Sequence, residues 1–232
     1  AFTPIAASIL SLNCSNLLFG TNARAVPAKP PPCTRQARRL SAEEFCGLLR
    51  SEVSSIYRPR SEVLRMLTVG EVWGVCGARR VPDAACILLP MDADTAAAAA
   101  LRSFVGGRNA ADGYFLAPPV GRAEAFPALL EAAAARQKAL ARHRPRWAVA
   151  ECTAEEMLPL YLQQGFALRA IRPLDSLAPC FWLQADCLGQ NVPPVWVPMT
   201  DRVHLAILLA KGYAALESRE SPQGTVLALY PV

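Results

Sequence analysis

Tyr161-Leu162-Gln163-Gln164-Gly165-Phe166 is the stretch on which the reading of this chain turns. Upstream, Thr153 and Glu156 are spaced as a T-x-x-E capping box, in which each side chain satisfies the other's free backbone N–H, so a helix is expected over 154–164. Gly165 falls where a helix end wants a left-handed residue, which glycine supplies without a Cβ clash. Apolar runs flank this helix: Trp147-Ala-Val-Ala-Glu-Cys152 before it and Phe166-Ala-Leu-Arg-Ala-Ile171 after it both read as strands.

Working outward, Ser41-Ala-Glu-Glu44 is a second capping box, opening an amphipathic helix through about Ser54 with Phe45, Leu48, Leu49 and Val53 at helical spacing. A shorter helix through Val63 and Leu67 follows the break at Pro59. Val69 to Cys76 and Ala84 to Leu89 read as an antiparallel hairpin. Asp94 or Thr95 caps an alanine-rich helix through Phe104. Gly113 to Pro118 is the next strand, and Phe126 to about Arg142 a long helix with basic residues at its end, where they suit the negative pole of the helix dipole. Beyond Pro173, Cys180 to Leu183 is a strand and Gln184 to Met199 mostly a connection. Asp201 or Thr200 then caps a helix through Lys211, and strands around Ala214 and from Thr225 to Tyr230 close a hairpin. Leu208-Leu-Ala-Lys-Gly212-Tyr213 repeats the pattern of Tyr161 to Phe166, with Leu208 in the place of Tyr161.

The strand–helix–Tyr-x3-Gly-Phe–strand order resembles the second half of the GNAT-type acyl-CoA N-acyltransferases. From about Thr34 to Leu183 the element order is compatible with that family. The resemblance therefore implies an α/β fold, an α+β mixed sheet flanked by helices, with a C-terminal αββ extension. It implies an N-acetyltransferase that moves an acetyl group from acetyl-CoA to a primary amine, on a small molecule or a peptide, by direct attack. In the family, the tyrosine at the position of Tyr161 lies near the thioester sulfur and acts as general acid. Glu151, ending its strand, and Glu71, on the second strand, are the general-base candidates, because a carboxylate in a narrow cleft acquires a raised pKa suited to deprotonating an ammonium. In the family the fourth strand splays from the fifth to meet the pantetheine arm. The loop after it wraps the pyrophosphate with backbone N–H groups at a helix N-terminus. Carried onto this chain, those cofactor-binding positions are Leu116, Ala117, Val120, Gly121, Arg122, Ala123, Ala125 and Phe126.

The loop departs from the family's Q/R-x-x-G-x-G/A pattern. Anchored on Arg122, the two small positions become Ala125 and Pro127; anchored on Leu129-Leu130, they become Glu124 and Phe126. Pro127 removes an amide donor and Glu124 puts negative charge beside the expected phosphates. The asparagine that commonly starts the Tyr161 helix is replaced by Ala154, and Pro159 predicts a kink. A second reading therefore stays open: a catalytically inactive GNAT-like domain that senses a ligand or binds a protein. A third is an unrelated α/β domain in which Tyr-x3-Gly-Phe is only a helix cap, recognisable by the lack of a splay between 114–117 and 147–151. For Tyr161 alone, the plain alternative is a tyrosine that packs its ring and wets its hydroxyl.

Composition sets the outer bounds. At 232 residues the chain suffices for one large domain without metal or disulfide staples. No apolar run approaches the roughly 18–20 residues that span a bilayer, so no membrane partner is expected. A net charge of +5, without aromatics interleaved among the basic residues, does not suit nucleic acid. Eight scattered cysteines with no C-x-x-C pair and only two histidines make no metal site, and fit a reduced, cytoplasmic setting. His143 and His204 have no apparent nucleophile partner, and no Walker, G-x-S-x-G or H-E-x-x-H motif occurs. The expected division is a leader at 1–32, poorly ordered or peripheral, a GNAT-like domain at 33–185, and an αββ extension at 186–232. That extension packs either on the same domain or across a homodimer.

Overall fold

The computed structural model describes residues 36–51, 60–77, 81–94, 97–98, 102–103, 110–141, 147–173, 179–185 and 187–232. The expectations for the leader, for most of the alanine-rich helix and for the basic end of the long helix lie outside these residues.

Local signals place the first elements. Strand β1 (Gln36–Arg39) leads into helix α1 (Ala42–Ser51), where the Ser41 N–H donates to Glu44 Oε2 at 2.8 Å and the Glu44 N–H to Ser41 Oγ at 3.2 Å, the capping box read from the sequence. Arg38 grips the same carboxylate at 2.6 Å and, with these bonds, holds Glu44 down at about 2. Helix α2 (Arg60–Val69), then β2 (Glu71–Cys76) and β3 (Pro82–Pro90) follow, the last two forming the expected antiparallel hairpin. Asp94 is the cap of the next segment, its Oδ1 accepting from the Ala97 N–H at 2.8 Å. Beyond it come β4 (Gly113–Leu116), β5 (Val120–Gly121), α3 (Phe126–Ala141), β6 (Trp147–Cys152), α4 (Leu158–Gln163), β7 (Phe166–Pro173) and β8 (Pro179–Ala185).

The Tyr161 helix differs from the sequence expectation in two ways. The Thr153–Glu156 capping box is not made. Ala154 instead starts a 3-10 turn, Glu155–Met157, without a side-chain cap. The α-helix proper begins only at Leu158, because Pro159 has no N–H to give and its ring suits the first turn. Pro159 therefore opens the helix rather than kinking it. At the other end the expectation holds: Gly165 has φ +85° and its N–H closes on Leu162 O at 3.0 Å.

The eleven strands form one mixed sheet in the order β1-β2-β3-β4-β6-β8-β7-β10-β11-β9, with β5 beside β3. The extension supplies β9 (Val195–Pro198), α5 (Arg202–Ala210), β10 (Tyr213–Ser221) and β11 (Gly224–Pro231). The segment read as a connection thus contains a strand. Asp201 caps α5 through a 3.1 Å bond from the His204 N–H, and β10 pairs with β7 through Ala215↔Leu168. The extension packs on the sheet of its own chain, completing the expected mixed α/β architecture with its added αββ part.

Strand alternation splits the core over the two faces of the sheet. On one face α3, α4 and α5 cover Leu116, Ala150, Cys152, Leu168, Phe181 and Leu227; on the other α1 and α2 cover Ile87, Phe115, Val149, Cys180 and Trp182. The β9 end of the sheet is closed chemically. The Met199 N–H donates to Thr225 O at 2.9 Å, so Val195, Val197 and Met199 turn their backbone groups toward β11. The outward positions are Pro194, Trp196 and Pro198, and two of these three have no N–H to offer another strand.

Candidate functional site

The parallel pair β4–β6 runs in register from Gly113↔Trp147 to Leu116↔Ala150 and then separates. Strand β6 continues through Glu151 and Cys152, while the other chain stays with β3, pairing Val120 with Ala85 and Gly121 with Ala84. Between Leu88↔Leu116 and Ala85↔Val120, two β3 residues face three on the partner, 117–119. This one-residue bulge, built on Ala117-Pro118-Pro119, bends the strand away from β6. The Ala117 N–H keeps its bond to Ile87 O at 2.9 Å, so the strand is held on one side and released on the other. The splay required by the sequence argument is present, and the helix-cap-only alternative loses its structural signature.

Two candidate residues come into contact beside the end of the β4–β6 pairing. Glu151 is only 1 % exposed and by alternation faces the α1/α2 side, where the Cys180 thiol donates to its Oε1 at 3.1 Å. Cys180 sits diagonally across β6–β8 from Glu151, next to its direct partner Trp182. Tyr161 reaches the same residue from the opposite face. Its ring is wholly buried, packs edge-on against Phe166 at 5.7 Å and 82°, and its hydroxyl donates to the Glu151 carbonyl oxygen over a long 3.4 Å. The hydroxyl is therefore not wetted at a helix end. Glu151 thus receives contacts on both faces of one strand, its carboxylate toward α1/α2 and its carbonyl toward α4.

Glu71 is not brought into this site. Arg136 on α3 binds it in a fork, Nε to Oε2 at 2.8 Å and Nη2 to Oε1 at 2.7 Å, and the Trp73 indole N–H adds a 3.3 Å bond. The Arg136 pairing pulls the Glu71 carboxyl below its ordinary range, which makes it a poor base and a good tie between β2 and α3.

The loop after the splay is used differently from the expectation. Gly121 has φ +111° and lies against the β3 backbone. The Arg122 N–H donates to Asp83 O at 2.8 Å, the Ala125 N–H to Arg122 O at 3.0 Å, and the Phe126 N–H to Ala123 O. Three of the amides expected at a pyrophosphate are thus engaged within the protein. Leu116, Val120 and Ala125 are buried, whereas the Arg122 side chain is 69 % exposed, 3.8 Å from Asp83 Oδ1.

Sequence reasoning missed Cys180 as a partner of Glu151. Only the β6–β8 register places them together, and neither residue carries a local signal for it. Burial pushes the Cys86 and Cys152 thiols up to about 12, which removes both as nucleophiles at neutral pH. Among the described residues no cluster of ligating side chains suits a metal ion, and no helix is long and apolar enough to cross a membrane.

No family model matches the chain, and no curated sequence does. Among solved structures it is similar to a probable acetyltransferase from Staphylococcus epidermidis (11 % identity, TM-score 0.47, covering 65 % of this chain and 97 % of that one). It is also similar to an agmatine N-acetyltransferase (13 %, TM-score 0.43, 65 % and 98 %) and to an N-acyl amino acid synthase from uncultured soil microbes (16 %, TM-score 0.45, 66 % and 91 %).

Proposed function

We propose that the protein is a GNAT-like acyltransferase acting on amines. In particular, it moves an acetyl group from acetyl-CoA to the primary amine of a small molecule or peptide, in a reduced cytoplasmic setting. The observation that carries this reading is the bulged parting of β4 from β6 beside Glu151, whose carbonyl oxygen accepts from the Tyr161 hydroxyl and whose carboxylate accepts from the Cys180 thiol. An opened pair of strands exposes backbone groups for an extended pantetheine arm. Glu151 removes a proton from the acceptor ammonium, the amine attacks the thioester carbonyl, and Tyr161 protonates the departing thiolate. Leu116, Ala117, Val120, Gly121, Arg122, Ala123, Ala125 and Phe126 line the path of the cofactor. Because the amides of Arg122, Ala125 and Phe126 already donate inside the protein, the exposed Arg122 guanidinium, 3.8 Å from Asp83 Oδ1, would meet a phosphate.

The engaged amides leave a second reading to be tested against the first, an inactive domain that senses a ligand or binds a protein. Calorimetric titration with acetyl-CoA and free CoA separates the two. Micromolar binding supports the acyltransferase, and a screen of amine acceptors, agmatine and spermidine among them, then follows. Lack of heat at millimolar ligand favours the inactive domain.

A further inference from the structure

The extension repeats the unit that precedes it. Residues 153–168 and 200–215 align without a gap at a shift of 47, with Thr153, Leu158, Leu162, Gly165 and Ala167 matched by identical residues. Five identities in sixteen positions are a weak echo in a chain rich in leucine and alanine. The backbone makes it strong.

Gly165 and Gly212 close their helices with φ +85° and +89°. The core-facing residues Leu158, Tyr161 and Leu162 correspond to Leu205, Leu208 and Leu209, and all six lie in one core. Each unit's hairpin carries a register shift at the same place, between Leu168 and Ala170 in β7 and between Ala215 and Glu217 in β10. Strand β6 pairs with β8 as β9 pairs with β11. Phe181 and Leu227 face the equivalent residues Ile171 and Ser218, so by pairing Cys152↔Phe181 answers to Val197↔Leu227, with the shift falling to 45 in β9 through two residues added before Thr200.

Their placement is that of a two-fold pair. The sheet order β6-β8-β7 is followed by its reverse, β10-β11-β9. In an isologous contact, equivalent residues approach each other at the axis. Here the residues that pair across the seam, Leu168 and Ala215, are equivalents under the shift of 47. So are Glu155 and Arg202, which form an ion pair between the two helix starts.

We infer that residues 195–231 are an internal half-copy of the β6–α4–β7–β8 unit and fill the edge position that a second subunit would otherwise take. The first unit continues past β6 into β4; the half-copy ends at β9, whose outward prolines stop the sheet there. Its counterparts of Tyr161 and Glu151 are Leu208 and Trp196, so it brings no second set of the proposed reactive groups.

A protease site inserted after Asn191, in the exposed connection, tests this on the full chain. After cleavage, the half-copy is expected to stay bound, giving a particle of unchanged mass near 25.0 kDa under native conditions. A half-copy that leaves while the remainder pairs through its β7 edge also supports the inference, since a second molecule then takes the place. A half-copy that leaves a stable monomer overturns it. Hydrogen exchange on the uncut protein gives an independent reading. The amides of β7 and β10 are expected to be protected equally at every protein concentration. Protection that rises with concentration places an intermolecular partner at that edge and overturns the inference.

Discussion

Replacing Gly121 by alanine puts two separable costs on one residue. Gly121 sits at φ +111°, where an L side chain is strained by about 1–2 kcal/mol. An added Cβ would also lie 2.7 Å from Ala84 Cα and closer still to the Asp83 carbonyl oxygen, both backbone atoms of β3 that yield only by moving the strand. Overpacking of this kind costs about 1–3 kcal/mol. Gly212 isolates the first cost: its φ is +89°, and nothing lies within 4 Å of the added methyl. Gly121→Ala is therefore expected to lose about 2–5 kcal/mol, and Gly212→Ala about 1–2 kcal/mol. For a domain of this size these are shifts of roughly 4–20 °C and 2–8 °C in Tm. Urea and thermal unfolding of both variants provide the comparison. Equal losses would show that the β3–β5 contact is slack and that the loop after the splay is not pinned by its glycine.

Four further outcomes are expected. Glu71→Gln removes the fork with Arg136. Because the folded Glu71 carboxyl lies below its ordinary 4.5, the wild-type advantage should be complete above about pH 4.5 and fade as pH falls through the folded value. Urea unfolding of both proteins at neutral and acid pH tests the sign. Tyr161→Phe keeps the buried ring and loses the long bond to the Glu151 carbonyl oxygen, so Tm should move little while turnover falls at least tenfold and CoA affinity holds; an unchanged rate removes the general-acid role. Leu205→Ala, at a fully buried position in α5, should cost about 2–5 kcal/mol by chemical denaturation, in a single transition if the extension shares the core. Exchanging the charges as Glu155→Arg with Arg202→Glu should recover most of the small loss, about 1 kcal/mol, that each substitution causes alone.

What the sequence disclosed follows the range of the forces involved. The Ser41–Glu44 cap, the left-handed Gly165 and the two antiparallel hairpins, 71–90 and 213–231, rest on residues close together in the chain, and all are legible. The start of the Tyr161 helix was misread because two local signals compete there. Thr153 and Glu156 spell a capping box, but Pro159 fixes where hydrogen bonding can begin, and it wins. Strand β9 was hidden by the prolines at 193, 194 and 198, which look like a linker until their positions on a sheet edge explain them. Glu71 looked like a base candidate because Arg136, 65 residues away, is invisible to any local pattern. Of the proposed site, Tyr161 and Glu151 were legible as separate residues. Their approach depends on how α4 packs on β6, and the thiol of Cys180 on the β6–β8 register. The loop amides were expected to be available because the preceding strand's bond to Asp83 carries no mark in the sequence.

The seam between β7 and β10 has a consequence during synthesis. Forty-seven residues separate Leu168 from its partner Ala215, so at about 5–20 residues per second a ribosome adds the covering strand about 2–10 s after the edge it covers. Over that interval the nascent chain presents β7 with one row of backbone groups unpaired and its apolar face incomplete. Neighbouring chains on one polysome are then at their most prone to join edge to edge. Codon choice across residues 169–215 sets how long that window stays open, and slow codons there should lower soluble yield without altering the finished protein.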